Sequence, residues 1–300
     1  MKSTTETIAT AQPLQLLEKA SHYFTLSKPR IVFLVAVTGF SAMVLEGTLL
    51  STPLRFAAVL LGIILAAGSA GALNQYFDRD IDALMARTRN KRPIPAGKIA
   101  PRNALVFAVL AGLVALYLLQ TAGNELAASL GLLTIFWYIV VYTLWLKRRN
   151  PQNIVIGGAA GAATPLIGWA AGAGELTLVP WLMFLVIFLW TPTHFWALAL
   201  YTKEEYARAH IPMLPVVSGE KKTIRHITCY TLLLLPTATA LTILSDTGLL
   251  ALTTTTLMGT CLLGKVIRIL RKPDSAHAKD LFLYSNVYLA VIFAFILVPW

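Results

Sequence analysis

Nine stretches of this 300-residue chain run for about twenty residues with almost no charge. A helix needs roughly 20 apolar residues to cross about 30 Å of hydrocarbon. A chain that repeats such a stretch must satisfy its backbone within each segment, which in lipid means helices. The stretches lie near residues 31–49, 55–77, 104–121, 126–146, 153–172, 177–200, 227–245, 248–266 and 282–300. Composition closes the alternatives. Apolar residues make up 57% of the chain and charged residues 13%, where soluble domains carry about 25% charged residues. A water-soluble surface cannot be built from so few charges, and a disordered chain is never this apolar. The expected fold is all-α: a polytopic bundle of nine transmembrane helices forming one domain over residues 31–300, preceded by a polar segment over 1–30. Cys229 and Cys261 both fall inside apolar runs, which gives no disulfide framework or zinc spacing and reads as ordinary packing.

A net charge of +11 would suit a nucleic-acid partner, but its placement says otherwise. Every Lys and Arg except Arg55 falls in the N-terminal segment or in the connections 2–3, 4–5, 6–7 and 8–9. Arg55 shares the opposite side with Glu46, Glu125, Glu175 and Asp246. Positive charge stays cytoplasmic, so the charge reads as topology in a lipid bilayer and no nucleic acid is implied. The N-terminus is expected inside and Trp300 outside. Residues 1–30 lack the apolar stretch of a secretory signal, and Glu6 and Glu18 argue against an acid-poor presequence. The first span therefore reads as an uncleaved helix in a bacterial inner (plasma) membrane. Connections 2–3 and 6–7 are the long ones, and long loops are disproportionately functional. Both follow an even-numbered span and reach the same face, a hint of two related halves.

The end of the second span reads Asn74-Gln-Tyr-Phe-Asp78-Arg-Asp80-Ile-Asp82. Asn74, Asp78 and Asp82 are spaced i, i+4, i+8 and form one polar stripe if the helix continues. Carboxylates this close to hydrocarbon need partners. Oxygen ligands on one face suit Mg²⁺, which is commonly held by one or two carboxylates plus substrate phosphates. Arg87, Arg89, Lys91 and Arg92 follow and could neutralise the rest of a diphosphate. An interfacial salt-bridge cluster accounts for the same spacing equally well. Asp80 points off the stripe and reads as the partner of an arginine. After the sixth span, Lys203, Glu204 and Glu205 offer either a second metal position or a solvated helix end. Ile211-Pro-Met-Leu-Pro215 is expected as an extended turn. His194 is the histidine well inside a span, and reads as a porphyrin ligand, a proton acceptor or a buried hydrogen-bond partner.

Together these segments resemble the intramembrane aromatic prenyltransferase (UbiA-type) superfamily and, within it, the branch that prenylates protoheme. The resemblance is carried by Lys28-Pro-Arg-Ile31, by the stretch Asn74 to Asp82, and by Arg92-Pro-Ile-Pro-Ala-Gly97. It continues through Tyr142-Thr-Leu-Trp-Leu-Lys-Arg-Arg-Asn-Pro-Gln-Asn-Ile154 and Gly161-Ala-Ala-Thr-Pro-Leu-Ile-Gly-Trp169. Trp190-Thr-Pro-Thr-His-Phe-Trp196 and Ile211 to Pro215 complete it. It covers residues 28–215, and the last three spans match in length and placement alone.

The resemblance implies nine helices around a central cavity, with farnesyl diphosphate and protoheme IX as substrates and heme O and diphosphate as products. It implies Asn74, Asp78 and Asp82 as the residues that bind Mg²⁺–diphosphate, with Glu205 at a second metal position. This branch usually has Asp where Glu205 stands. Other members place a further acid where this chain has Ala209, and the branch has a small or amide residue where His210 stands. It further implies His194 beside the porphyrin, as iron ligand or as the group that positions a water. Arg148, Arg149 or Lys203 would meet the heme propionates. Of the aromatic residues Trp137, Tyr138, Tyr142, Trp145, Trp169, Trp190 and Trp196, a few would face an allylic cation, with Tyr142 and Trp196 as the candidates for substrate contact. The small residues 157–163 are expected to shape the cavity wall, and Pro165 and Pro192 to bend their helices around a ligand. The product would pass to a heme A-forming enzyme or a terminal oxidase. The rivals are prenylation of a quinone precursor or a chlorin and, from another class, a secondary transporter. A transporter would place ionisable groups at the span centres, where apart from His194 there are nearly none.

Overall fold

The computed structural model describes residues 16–297, and the protein is helical wherever it is ordered into elements. Among the described residues, nine helices are long and apolar enough to cross a membrane. A short helix α1 over 16–26 leads into α2 (Pro29–Glu46) and α3 (Pro53–Phe77). Connection 2–3 folds into two short helices, α4 (Arg79–Leu84) and α5 (Ala86–Arg89). Next come α6 (Pro101–Gly123), α7 (Glu125–Leu146), α8 (Asn153–Ala173) and α9 (Leu178–Tyr201). Connection 6–7 likewise carries short helices, α10 (Lys203–Arg208) and α11 (Leu214–Val217). The chain closes with α12 (Gly219–Leu244), α13 (Gly248–Arg271) and α14 (Ser275–Phe295).

Helix starts and stops follow local chemistry. Pro29, Pro53 and Pro101 open α2, α3 and α6, where a missing N–H costs nothing. Gly47 (φ 88°) and Gly174 (φ 76°) end α2 and α8 in the left-handed region, which is open to glycine without a steric penalty. Asn124 alone joins α6 to α7. Its Oδ1 accepts from the Ala127 amide (3.0 Å) while its Nδ2 donates to the Ala170 carbonyl (2.6 Å). Pro215 opens α11, so the segment Ile211–Pro215 is extended only in its first half. Two spans start earlier than the apolar pattern suggests. α12 begins at Gly219 and α14 at Ser275, because their first turns are polar and continue the helix beyond the hydrocarbon.

The helices form a ring. α2 contacts α3 and the second half of α8 on one side and α14 on the other; α3 packs on α6, and α9 packs on α8, α12 and α14. The packing divides into three apolar clusters. The first joins α9, α12, α13 and α14 with part of α8; the second joins α2, α3, α6, α7 and α8; the third joins α1, α3 and α6 with connection 2–3. Small residues let α3 and α6 approach closely, and Ser69 Oγ donates across that seam to the Ala108 carbonyl (2.7 Å). The outward faces keep large apolar side chains such as Leu132, Leu133, Phe136, Leu232 and Leu233 exposed, as lipid contact requires. Cys229 and Cys261 are also exposed. They are lipid-facing residues and do not pack in the core, because apolar periodicity in a membrane helix does not distinguish its inner from its outer face.

Candidate functional site

Asp78 caps α3 with φ −91° and ψ 6°, so the helix breaks there before α4 begins. The i+4 bonding nonetheless runs through, from the Asp78 amide to the Asn74 carbonyl (2.9 Å) and from the Asp82 amide to the Asp78 carbonyl (2.8 Å). The stripe therefore survives the break. Asn74, Asp78 and Asp82 are all buried, and each meets a cation from elsewhere in the chain. Lys28 Nζ donates to Asn74 Oδ1, Lys147 Nζ to Asp78 Oδ2, and Arg92 Nη1 to Asp82 Oδ2. Asn74 Nδ2 completes the net, donating to Asp78 Oδ2 (2.7 Å) and to Thr143 Oγ1 (3.0 Å).

Two local distortions deliver those lysines. Lys28 sits at φ 58°, a left-handed conformation that costs a non-glycine residue roughly 1–2 kcal/mol. Gln75 holds it there by donating from Nε2 to the Leu26 carbonyl (2.7 Å). Lys147 follows a π-helical run over Trp137–Leu146, and its amide reaches back five residues to the Tyr142 carbonyl (2.8 Å). The wider turn changes which face of α7 the lysine shares, and π segments are frequent at functional sites.

The cluster is electrostatically incomplete. Burial, reinforced by the charges of Arg92 and Lys147, holds the Lys28 amine well below the usual lysine range. Burial likewise holds the Asp82 carboxyl above the usual carboxylate range, against the pull of Arg92 and Lys147. Asp78 Oδ1 is buried without a hydrogen-bond partner among the described residues. Buried polar atoms are nearly always paired, so this oxygen is free to meet a cation.

Beside the cluster an apolar groove of about 90 Å³ runs into the bundle. Its mouth is Ser27, Lys28 and Tyr138, and its walls include Ile63, Ala66, Ala70, Gly161 and Ile167. Lys28 Nζ lies 5.8 Å from the Tyr138 ring centre, and Tyr138 pairs with Tyr142 at 5.3 Å.

A second cavity of about 810 Å³ opens among α9, α10, α12, α13 and the start of α14, lined by Arg87, Lys203, Glu204, Glu205, Glu220 and Asp274. Glu204 pairs with Arg208 (3.3 Å) and Lys203 with Glu220 (2.9 Å). Glu205 Oε2 and Arg87 Nε are buried and unpaired among the described residues. Glu205 is thus the acid of this pair with an oxygen to offer. It does not share a ligand shell with Asp78 and Asp82: among the described residues no three His, Cys, Asp or Glu side chains converge. His210 holds φ 53°, which explains why a small or amide residue suits that position.

The remaining candidates lie apart. Arg148 grips Asp80 with both terminal nitrogens at 2.8 Å, the arginine partner expected for that acid. Arg89, Lys91 and Arg149 are exposed. Trp196 is fully buried and edge-on to His226 and Tyr230, both at 5.6 Å. Tyr142 is half-buried and packs against the cluster that contains Tyr206. His194 is buried on α9, with its ring between Trp190 (4.4 Å) and Phe282 (4.6 Å). Pro165 divides α8 at Ala163, whereas Pro192 lies within an unbroken α9. Lys28, Lys147 and Thr143 are the site residues that spacing alone did not single out. The one signal for Lys147 is its place as the first charge after an apolar run.

Residues 33–294 match the model of the UbiA prenyltransferase family. A protoheme IX farnesyltransferase of Synechococcus sp. (strain JA-3-3Ab) is 47% identical over 272 residues, 90% of this chain and 81% of that protein. One from Symbiobacterium thermophilum is 47% identical over 284 residues, 93% of this chain and 94% of its own. Among solved structures, one described for digeranylgeranylglyceryl phosphate synthase has a TM-score of 0.77 at 18% identity, over 94% of this chain and 98% of that one. A UbiA homolog from Archaeoglobus fulgidus bound to GPP and Mg²⁺ gives 0.64 at 15% identity, over 92% and 99%. At such identities the structures speak to the fold.

Proposed function

The chain belongs to the UbiA prenyltransferase family, and on that premise we propose that it transfers the farnesyl group of farnesyl diphosphate to a vinyl group of protoheme IX, giving heme O and diphosphate. The observation that carries the reading is the junction at Lys28. Its amine lies on Asn74 while the same residue lines the apolar groove. One substrate with an apolar chain and a charged oxygen-rich head fits both sides of that junction. The heme acceptor rests on the relatives named above, which match over 81% and 94% of their own length.

A divalent cation fits the stripe. Asn74, Asp78 and Asp82 supply hard oxygen donors, and Asp78 Oδ1 has no hydrogen-bond partner among the described residues, which suits Mg²⁺. When bound, the ion neutralises diphosphate and makes it a better leaving group. Lys28, Arg92 and Lys147 already converge on the stripe. They are placed to stabilise the charge that gathers on the leaving oxygens as the allylic C–O bond breaks. Tyr138 lines the groove with Tyr142 paired behind it at 5.3 Å, and a ring face there stabilises the allylic cation. The apolar walls beyond keep water from it. A porphyrin vinyl carbon then bonds to the farnesyl carbon. Water adds to the adjacent carbon and loses a proton, leaving a hydroxyl. Glu205 and Arg87 face the larger cavity and are assigned to a second metal position and to phosphate. Lys203, on the same wall, would meet a propionate. The protein works in a bacterial inner membrane, with the basic face toward the cytoplasm.

The test is incubation of the purified chain with protoheme, farnesyl diphosphate and Mg²⁺, followed by mass analysis of the porphyrin. A product heavier by one farnesyl group and one hydroxyl is expected. An unaltered porphyrin alongside a prenylated quinone precursor or chlorin would replace the acceptor.

A further inference from the structure

The short helix α1, before the first span, has two unlike faces. It has eleven described residues, 16–26, and at about 100° per residue Leu16, Leu17, Ala20 and Phe24 share an arc of about 100°. Leu16, Leu17 and Phe24 are 66%, 69% and 66% exposed, and Ala20 is exposed with them. Glu18, Ser21, His22 and Thr25 take the opposite arc. There Glu18 reaches His22 at 3.7 Å, and Thr25 Oγ1 donates to the Ser21 carbonyl (2.9 Å). The helix meets the bundle along a flank between the two arcs. Leu26 is fully buried in one cluster with Ile94 and Ile99 of connection 2–3, and Tyr23 packs on Phe107 of α6 at 5.1 Å. The apolar arc is what remains after this packing. It continues across the corner at Lys28, where Ile31 and Phe33 of α2 are exposed as well, on a span whose outward face meets lipid.

We propose that α1 is an interfacial helix, docked in the headgroup layer at the basic end of the bundle with Leu16, Leu17, Ala20 and Phe24 toward the acyl chains, and that this docking braces the corner carrying Lys28. A helix with one apolar stripe and one polar face settles at a membrane interface. Two residues join α1 to a spanning helix, so its insertion is intramolecular and a short stripe suffices. The bilayer is the occupant because the stripe runs on into the lipid-facing side of α2. The consequence reaches the stripe of Asn74, Asp78 and Asp82. Ser27 and Lys28 are seated on α3, where a Cβ on Gly71 would lie 3.2 Å from the Ser27 carbonyl, and both line the apolar groove. Leu26 also packs with Ile94, two residues past the Arg92 that meets Asp82. An α1 held on the membrane thus steadies two of the three bases on the stripe. Only this consequence rests on a prenyl diphosphate as the ligand there.

The full-length protein, with Cys229 and Cys261 replaced by Ala, receives a single nitroxide label through Ala20→Cys or Glu18→Cys, on opposite faces of α1. It is reconstituted in vesicles of phosphatidylethanolamine and phosphatidylglycerol. Collision with dissolved oxygen should dominate at position 20, and collision with a water-soluble nickel chelate at position 18. With Leu17→Glu and Phe24→Glu added, position 20 should pass into water. The same pair of changes should lower the affinity for farnesyl diphosphate severalfold and leave thermal unfolding unchanged, since both side chains are exposed. Leu17→Ile with Phe24→Leu should keep the original affinity. A label at position 20 that the nickel chelate reaches overturns the docking. One that neither reagent reaches puts a protein partner on the stripe and overturns it too. Docking with an unchanged affinity in the charged variant overturns the bracing. If the unaltered protein binds no farnesyl diphosphate, the proposed function fails, and the collision pattern still decides the docking.

Discussion

Asp78 has two oxygens with different surroundings: Oδ2 accepts from Lys147 and Asn74, while Oδ1 accepts from none of the described residues. Replacing the carboxylate with an amide leaves the volume unchanged and removes the charge a divalent ion would meet. Asp78→Asn should therefore reduce turnover by about a hundredfold or more, read as the steady-state rate of diphosphate release at saturating Mg²⁺. Glu205→Gln, on the other cavity, should cost less. Equal losses would show that both positions hold metal during the reaction. The stripe was legible in the sequence because i, i+4 spacing survives even where the helix ends. The bases that complete it were not. Lys28 depends on a left-handed turn held by Gln75, and Lys147 on a π-helical run. Neither a positive φ nor an extra residue per turn leaves a periodic trace. The contact of His194 Nδ1 with Ser285 Oγ (2.8 Å) was hidden for a different reason: it links two helices far apart in the chain.

At the scale of elements, α8 shows how one composition serves several purposes. Its run of glycine and alanine reads as a cavity wall, and the structure assigns the glycines separately. A Cβ on Gly157 would lie 2.2 Å from the Tyr142 ring and one on Gly158 2.6 Å from Thr191, whereas one on Gly161 meets nothing within 4 Å. Gly157→Ala must displace Tyr142 from its pairing with Tyr138. It should cost about 1–3 kcal/mol of stability, measured by thermal unfolding in detergent, and should slow turnover as well. Gly161→Ala should leave both unchanged. Gly161→Leu projects into the 90 Å³ groove and should raise the KM for farnesyl diphosphate while sparing a shorter geranyl donor. An unchanged preference would place the prenyl chain elsewhere. Periodicity located α8 and its small residues. It could not rank them, because what each glycine faces is fixed by α7 and α9.

The whole molecule reads as three apolar clusters, the two larger joined through α8, with both long connections folded into short helices at one end. That end carries the stripe, both cavities' polar walls and every described Lys and Arg except Arg55. Arg55 is tethered by its Nε donating to the Ala122 carbonyl (2.9 Å), so it serves a helix end and does not compete for orientation. By positive-inside sorting the basic end is expected to be cytoplasmic, which is also where a water-soluble diphosphate would be released. The orientation can be measured. Cys229 and Cys261 lie on exposed helix faces, so replacing both with Ala should change stability by no more than about 0.5 kcal/mol. In that background, Ser51→Cys and Asn90→Cys place single thiols at exposed positions at opposite ends of the bundle. A membrane-impermeant maleimide applied to intact cells with the outer membrane removed should label the thiol at position 51. The thiol at position 90 should react only after permeabilisation. The reverse pattern would turn the active end outward, and the charge asymmetry would then need a cause other than insertion.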